Sequence, residues 1–299
     1  MDRMTERPLR GDSVEINRRY LDSLLVEGRI VGAEHPDTRT MLFGREFSTP
    51  IATAALSHLK FGMAAFAEGA KLANAPCFVG MGGLEELKAV LAAGSGVVRI
   101  IKPYADPDEI LSRIACCEEN GALAVGMDVE HSVDVRDDAD STVAGYAMKL
   151  PTLADLKRYI SSTKLPFVIK GVLSVRDALA CRDLGCAGVV LSHHNALMRW
   201  AAPPAMVLPE IRRAVGNDLC LIADGGIADG YDAFKCLALG ADAVSVGRPL
   251  MEPLYLGGPE GMAREIASFT AELRAMMVRT GSKDVKSIDL AVKIGRAHV

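Results

Sequence analysis

The 299-residue chain has no block of basic residues. Its 34 lysines and arginines are interspersed with 38 acidic residues, for a net charge of −4 and a pI near 5.9. It therefore lacks the electrostatic footprint of a nucleic-acid binder. It also has no C-x-x-C pair: Cys77, Cys116, Cys117, Cys181, Cys186, Cys220 and Cys236 are scattered, mostly within apolar patterns. Such an odd, dispersed set reads as reduced core thiols. No uncharged apolar run reaches 18 residues, and the start, MDRMTERPLRGD, is polar, with no signal-peptide core behind it. A soluble, cytoplasmic protein with neither a nucleic-acid nor a membrane partner is expected.

What is present is enough apolar material for one large core, 49% hydrophobic against 24% charged. From residue 50 onward, short β-branched runs alternate with longer amphipathic stretches, the pattern of repeated βα units. Eight strand candidates lie at 50–55, 77–80, 97–102, 123–128, 166–170, 188–192, 219–224 and 243–247. Helix candidates between them are 62–72, 84–93, 106–119, 152–162, 174–184, 204–215 and 230–239. Thr152 and Ser174 are expected N-caps, and Gly94, Gly121, Gly185 and Gly240 expected left-handed C-caps. Eight such units close most naturally into a (β/α)8 TIM barrel, although periodicity alone also allows an open doubly wound sheet. A single domain over 1–299 is expected.

Three stretches break the rhythm. Residues 1–49 read as an N-terminal extension with a helix near 13–25. Residues 130–148 form a polar loop, either a lid or a disordered segment. Residues 293–299 read as a non-native tail, because Lys293-Ile294-Gly295-Arg296-Ala297-His298-Val299 can be encoded by a common sequencing-library adapter; an ordinary frayed terminus is the alternative.

Ligands of such a barrel come from the carboxyl ends of its strands. Four apolar runs end in polar residues there: at Asp128, at Lys170, at Ser192-His193-His194, and at Asp224-Gly225-Gly226. A lysine at the end of Pro166-Phe167-Val168-Ile169 needs a negative partner, either a ligand or a structural ion pair with Asp128 or Asp224. Asp224-Gly225-Gly226-Ile227 and, one βα unit later, Val246-Gly247-Arg248-Pro249 suit a phosphate cradle of backbone amides plus a guanidinium. Of the two adjacent histidines, only one is expected to face the site, since neighbours point to opposite sides of an extended chain, and there it reads either as a general base or as a packed histidine that supports the site. Lone His58 and His131 read as structural or solvated, and Trp200 as packing beneath the same loop. Arg99 either meets an anionic substrate or pairs with Asp128. No metal site is expected, because no further His or Cys recurs at ligand spacing.

Together, Val168-Ile169-Lys170-Gly171-Val172, Ser192-His193-His194-Asn195-Ala196, Asp224-Gly225-Gly226-Ile227 and the run from Phe234 to Pro249 resemble the FMN-dependent α-hydroxy acid oxidases and dehydrogenases. The resemblance is close over 165–255 and diffuse over 35–130. It implies FMN as cofactor and a homotetramer acting on a small molecule. Lys170 would stabilise the reduced flavin at its N1–O2 edge and Ser192 would touch its ring. Asp224, Gly225, Gly226, Gly247 and Arg248 would hold the ribityl chain and phosphate. His194 would take the substrate hydroxyl proton as hydride leaves for flavin N5, with Asp128 orienting it.

Departures from the pattern concern the substrate. Leu197 stands where the family has a carboxylate-binding arginine, with Arg199 two residues on. Arg136 is the only local candidate for a second arginine. Arg99 and Ile101 stand for a Gln and a Tyr of the third strand, and Ala228 follows Gly-Gly-Ile where an arginine is common. Oxidation of a 2-hydroxy acid or related alcohol is expected. The alternatives are a flavin isomerase resembling type 2 isopentenyl diphosphate isomerase and a flavin-binding barrel without hydroxy acid activity. A barrel resembling inosine monophosphate dehydrogenase would need a loop cysteine after the sixth strand, and none is there.

Overall fold

A computed structural model describes residues 11–134, 139–194, 197–288 and 294–296. Eight strands form one parallel sheet: β1 (Ile51–Thr53), β2 (Cys77–Val79), β3 (Val97–Ile101), β4 (Ala124–Asp128), β5 (Phe167–Lys170), β6 (Gly188–Leu191), β7 (Cys220–Asp224) and β8 (Ala243–Val246). Their order is β1-β8-β7-β6-β5-β4-β3-β2. The ring is completed between β1 and β2, where Thr53 N donates to Pro76 O at 3.0 Å, Thr53 Oγ1 donates to Phe78 O at 2.9 Å, and Leu56 pairs with Val79. All eight predicted strands are present, and the fold is the (β/α)8 barrel.

Helices α1 (Met63–Leu72), α2 (Leu84–Ala93), α3 (Pro107–Glu119), α4 (Leu153–Ser161), α5 (Val175–Leu184), α6 (Pro204–Val215), α7 (Gly230–Ala238) and α8 (Met251–Arg279) surround it. Thr152 and Ser174 cap their helices as expected. Gly185 is left-handed, and Gly121 and Gly240 also have positive φ. Gly94 does not: it leaves α2 extended, at φ −85° and ψ 177°. The left-handed turn falls two residues later at Gly96, where a Cβ would lie 2.6 Å from the Phe47 ring.

Side chains alternate along each strand, one set facing the axis and the other the helices. The inward set includes Phe78, Ile100, Ala124, Val168, Val190 and Ile222, all buried. Beneath them an antiparallel hairpin, Thr40–Leu42 with Arg45–Phe47, turns through Phe43 and Gly44 at positive φ and places Leu42 and Phe47 in the barrel floor. One step up the same parity falls on Lys102, Asp128, Lys170, Ser192, Asp224 and Ser245. Sequence periodicity thus stacks a charged layer directly on an apolar one.

The helix predicted over 13–25 ends at Asp22; Leu24–Val26 is a strand pairing antiparallel with Ile294–Arg296. Backbone pairing is open to any non-proline segment, so it says nothing of the tail's origin. In the 130–148 loop, Thr142–Val143 and Tyr146–Ala147 form a hairpin. Tyr146 packs edge-on to Tyr104 at 5.3 Å, and Arg113 lies 4.6 Å over the Tyr104 ring. The described part of the loop is therefore built onto the barrel wall. Among the described residues, no helix is long and apolar enough to cross a membrane.

Candidate active site at the carboxyl ends of the strands

Two polar clusters share the upper layer. In the first, Lys170 Nζ donates to Ser192 Oγ at 2.7 Å and lies 3.2 Å from Asp224 Oδ2. Ser192 Oγ donates to Asp224 Oδ2 at 2.8 Å, and Ser245 Oγ to Oδ1 at 2.7 Å. Burial alone would lower the Lys170 ammonium, but Asp224, Asp128 and Glu130 outweigh it and hold Lys170 above its usual value. Burial alone would likewise raise Asp224; Lys170, Ser245 and Ser192 keep it below the ordinary carboxylate range. This cluster holds its charges because nearly every lone pair is met.

The second cluster is centred on Asp128. Its Oδ2 lies 2.9 Å from Lys102 Nζ, 3.0 Å from His194 Nδ1 and 3.2 Å from His131 Nδ1, while the buried Oδ1 has no hydrogen-bond partner among the described residues. Lys102 Nζ also donates to His131 Nδ1 at 2.9 Å. Burial would raise Asp128, but Lys170, both imidazoles and Lys102 drive it well below the usual range. Burial pulls His194 down to about 4, against the favourable contact with Asp128. Its backbone has φ +42°, an unusual conformation for a residue with a side chain and one concentrated at functional sites.

Asp128, His131 and His194 place potential ligand atoms within 4.8 Å of one another, which sequence spacing did not reveal. The Lys102 and Lys170 ammonium groups sit against the same atoms, so a divalent cation there would meet strong repulsion.

Beside these clusters a cavity of about 610 Å³ opens along Ala54, Lys170, His194, Asp224-Gly225-Gly226 and Gly247-Arg248-Pro249. Gly225 and Gly226 take φ of 108° and 69°. A Cβ on Gly247 would lie 3.2 Å from that of Ala54, and both residues line the cavity. The glycine loop is fastened from below by the N-terminal helix, Ser13–Asp22. Asn17 Nδ2 donates to Gly225 O at 2.9 Å, Arg18 donates to Gly226 O at 3.0 Å, and Arg18 pairs with buried Asp232. A larger cavity, about 1080 Å³, lies at the opposite end and contains the Arg212–Asp242 pair. It is remote from the strand ends where the clusters stand.

Asp128, Lys170, Ser192, His194 and Asp224 are thus brought together, with Gly225, Gly226, Gly247 and Arg248 lining the adjoining cavity. His193 is buried, facing Gly225, so one histidine of the pair meets the site and one packs. Arg99 pairs with neither Asp128 nor the cavity. Its parity faces the helices, and it donates to Gly82 O at 2.9 Å. Lys102, immediately after β3, is the residue that reaches Asp128. His58 is exposed and outside the cavity lining. Trp200 does not pack beneath the loop: it is 68% exposed and covers Gly11. Arg199 is exposed; Arg136, Asn195 and Ala196 lie outside the described residues. Sequence reading missed Lys102, Ser245 and the Asn17–Arg18 clamp, and gave His131 a bland role. Counting parity upward from Ile100 and Ala243 would have found the first two. The clamp has no local signal.

The profile of the FMN-dependent dehydrogenases matches residues 9–150 and 131–293. The chain belongs to this family. An L-lactate oxidase of Alicycliphilus denitrificans is 41% identical over 139 residues, 46% of this chain and 38% of that protein. The chain thus matches well under half the length of that relative. An L-lactate oxidase of Lentilactobacillus hilgardii is 26% identical over 310 residues, covering 92% of this chain and 84% of the relative. A mandelate oxidase variant solved with a monooxide FMN adduct superposes with a TM-score of 0.83 at 28% identity, covering 95% of this chain and 92% of that one. The isomerase alternative draws no support from these matches. The residues present fit the family's cofactor: a glycine-lined cavity that a Cβ on Gly247 would crowd meets a buried ammonium that remains charged.

Proposed function

We propose that the chain is an FMN-dependent oxidoreductase that oxidises a small 2-hydroxy acid, or a related alcohol. The observation that carries this reading is one mouth combining a glycine cradle with a buried carboxylate–imidazole pair. Lys170, Ser192, Asp224, Gly225, Gly226, Gly247 and Arg248 would hold FMN, which when bound supplies the acceptor for the substrate hydride. His194 takes the hydroxyl proton at Nε2, because Nδ1 is turned to Asp128 Oδ2 at 3.0 Å. An imidazole held down to about 4 is neutral, and so able to accept, at physiological pH. Asp128 stays ionised, fixes the tautomer and offsets the charge gained by His194. Lys170 remains cationic beside the acceptor and stabilises negative charge that develops there.

Leu197, in place of a carboxylate-binding arginine, leaves substrate choice to other groups and keeps the related-alcohol reading in play. A cytoplasmic location is supported by seven cysteines that all stand as thiols; a homotetramer rests on the family resemblance. The test is an anaerobic absorbance spectrum of FMN-reconstituted protein with a panel of 2-hydroxy acids. Bleaching at the flavin maximum is expected with one of them. Bound flavin that none of them bleaches would transfer the reading to another substrate class or to a flavin-binding barrel without hydroxy acid activity. Failure to bind FMN would overturn the proposal.

A further inference from the structure

We propose that His131 is a positioning residue of the acid–base site, orienting the His194 imidazole and dividing the Asp128 carboxylate with it. The inference rests on the functional reading above for its catalytic consequence, though its geometric basis is independent.

His131 sits in the short 3-10 turn Val129–Ser132 that follows β4, three residues from Asp128. The turn is fixed at both ends: Ser132 Oγ donates to Val129 O at 2.6 Å, and Ser141 Oγ donates to His131 O. The His131 ring therefore has a rigid base. It meets the His194 ring edge to face, with centroids 3.9 Å apart and planes at 82°. His194 has a strained backbone, so a packed neighbour is what can hold its ring in one orientation.

The nitrogens matter as much as the ring. His131 Nδ1 lies 2.9 Å from Lys102 Nζ and 3.2 Å from Asp128 Oδ2. One ring nitrogen cannot accept from the lysine and donate to the carboxylate at once. With Nδ1 accepting, Lys102 and His194 are the two donors that Asp128 Oδ2 serves. With Nδ1 donating, three donors crowd one oxygen and the contact to His194 weakens. The His131 tautomer thereby sets how much of Asp128 is available to a protonated His194. The charged and titratable groups that act on His194 are Lys102 just past β3, Asp128 at the end of β4, His131 in the turn and Lys170 at the end of β5. His131 Nδ1 lies between a lysine donor and the carboxylate, as does His194 Nδ1, which is 3.4 Å from Lys170 Nζ. Its side chain and that of His194 retain 15% and 31% of their surface, so both can exchange protons with solvent.

The test is imidazole ¹⁵N NMR on the substrate-free protein, with His194→Asn assigning the signals, alongside anaerobic flavin reduction on the holoprotein. In His131→Phe, which keeps a ring but no nitrogen, the His194 midpoint should rise by about half a unit or more as Asp128 serves one imidazole. Its tautomer signals should change from one form to a mixture. Flavin reduction should slow by roughly tenfold, with little change in the substrate concentration that half-saturates it. His131→Asn, which restores a polar contact, should recover most of both. His131→Leu repeats the loss with a smaller side chain should the phenylalanine not fit. An unchanged His194 midpoint and tautomer in the Phe and Leu proteins would overturn the proposal, as would an Asn protein as impaired as they are. The titration decides the inference even where no hydroxy acid bleaches the flavin, an outcome that overturns the functional reading alone.

Discussion

The two clusters at the mouth have similar ingredients and opposite bookkeeping. Around Asp224 both carboxylate oxygens have donors, and Lys170 meets both a hydroxyl and a carboxylate. Around Asp128 three nitrogens converge on Oδ2, and Oδ1 has no partner among the described residues. A fully satisfied buried network is rigid; a partly satisfied one leaves protons with more than one place to sit. The difference suits the first cluster to gripping a cofactor and the second to moving a proton.

The sharpest way to break that contrast is His194→Ala. Flavin reduction should fall by roughly 10²- to 10⁴-fold, while FMN binding, followed by flavin fluorescence, stays near wild type. Equal rates would remove His194 from the base role. Next in size is Lys170→Met, which strands Asp224 in a buried site. A loss of about 3–5 kcal/mol is expected in chemical denaturation, with weaker FMN retention on gel filtration. Ser245→Ala removes one donor from the satisfied side. It should cost about 1.5–3 kcal/mol, the range for a hydrogen bond to a charged group; a neutral outcome would mean that water replaces the hydroxyl.

The smallest effects are those of pH. His194 is depressed to about 4, and Asp128 and Asp224 lie below their usual values. On acidification the unfolded chain takes up protons before the folded one does, so Tm should fall as pH drops from about 6.5. Glu130 works in the other direction, because burial pushes it up to about 8. Between about 4.5 and 8 the unfolded chain releases that proton first, so stability falls as pH rises through this window. Glu130→Gln should flatten this alkaline slope and raise Tm by a few degrees at pH 8 in a thermal melt. An unaltered slope would mean that Glu130 is solvated in the folded protein.

The barrel was legible because each strand is a short apolar run bounded by glycine or a polar residue, and Lys170 and Asp224 stood out because those runs end on them. Lys102 was hidden by Arg99. A charge inside the Val97–Ile101 run drew attention to the outward-facing position, while the inward parity ran on to 102. His131 escaped because a single 3-10 turn brings residue i+3 back over a strand end, a geometry with no lasting periodicity. Gly94 misled because a glycine after a helix usually turns left-handed, whereas here the turn falls at Gly96, where the Phe47 ring leaves no room for a Cβ. The substrate-binding elements were least legible, since Arg136, Asn195 and Ala196 lie outside the described residues and Leu197 is an apolar residue with no chemistry of its own to read.

The clamp from the N-terminal helix also dictates an order of assembly. Asn17 and Gly225 are 208 positions apart in the chain. During synthesis from the amino end, the helix therefore emerges long before its partner and must wait for seven strands to follow. The Gly225-Gly226 loop is thus among the last parts of the molecule that can be fastened in place.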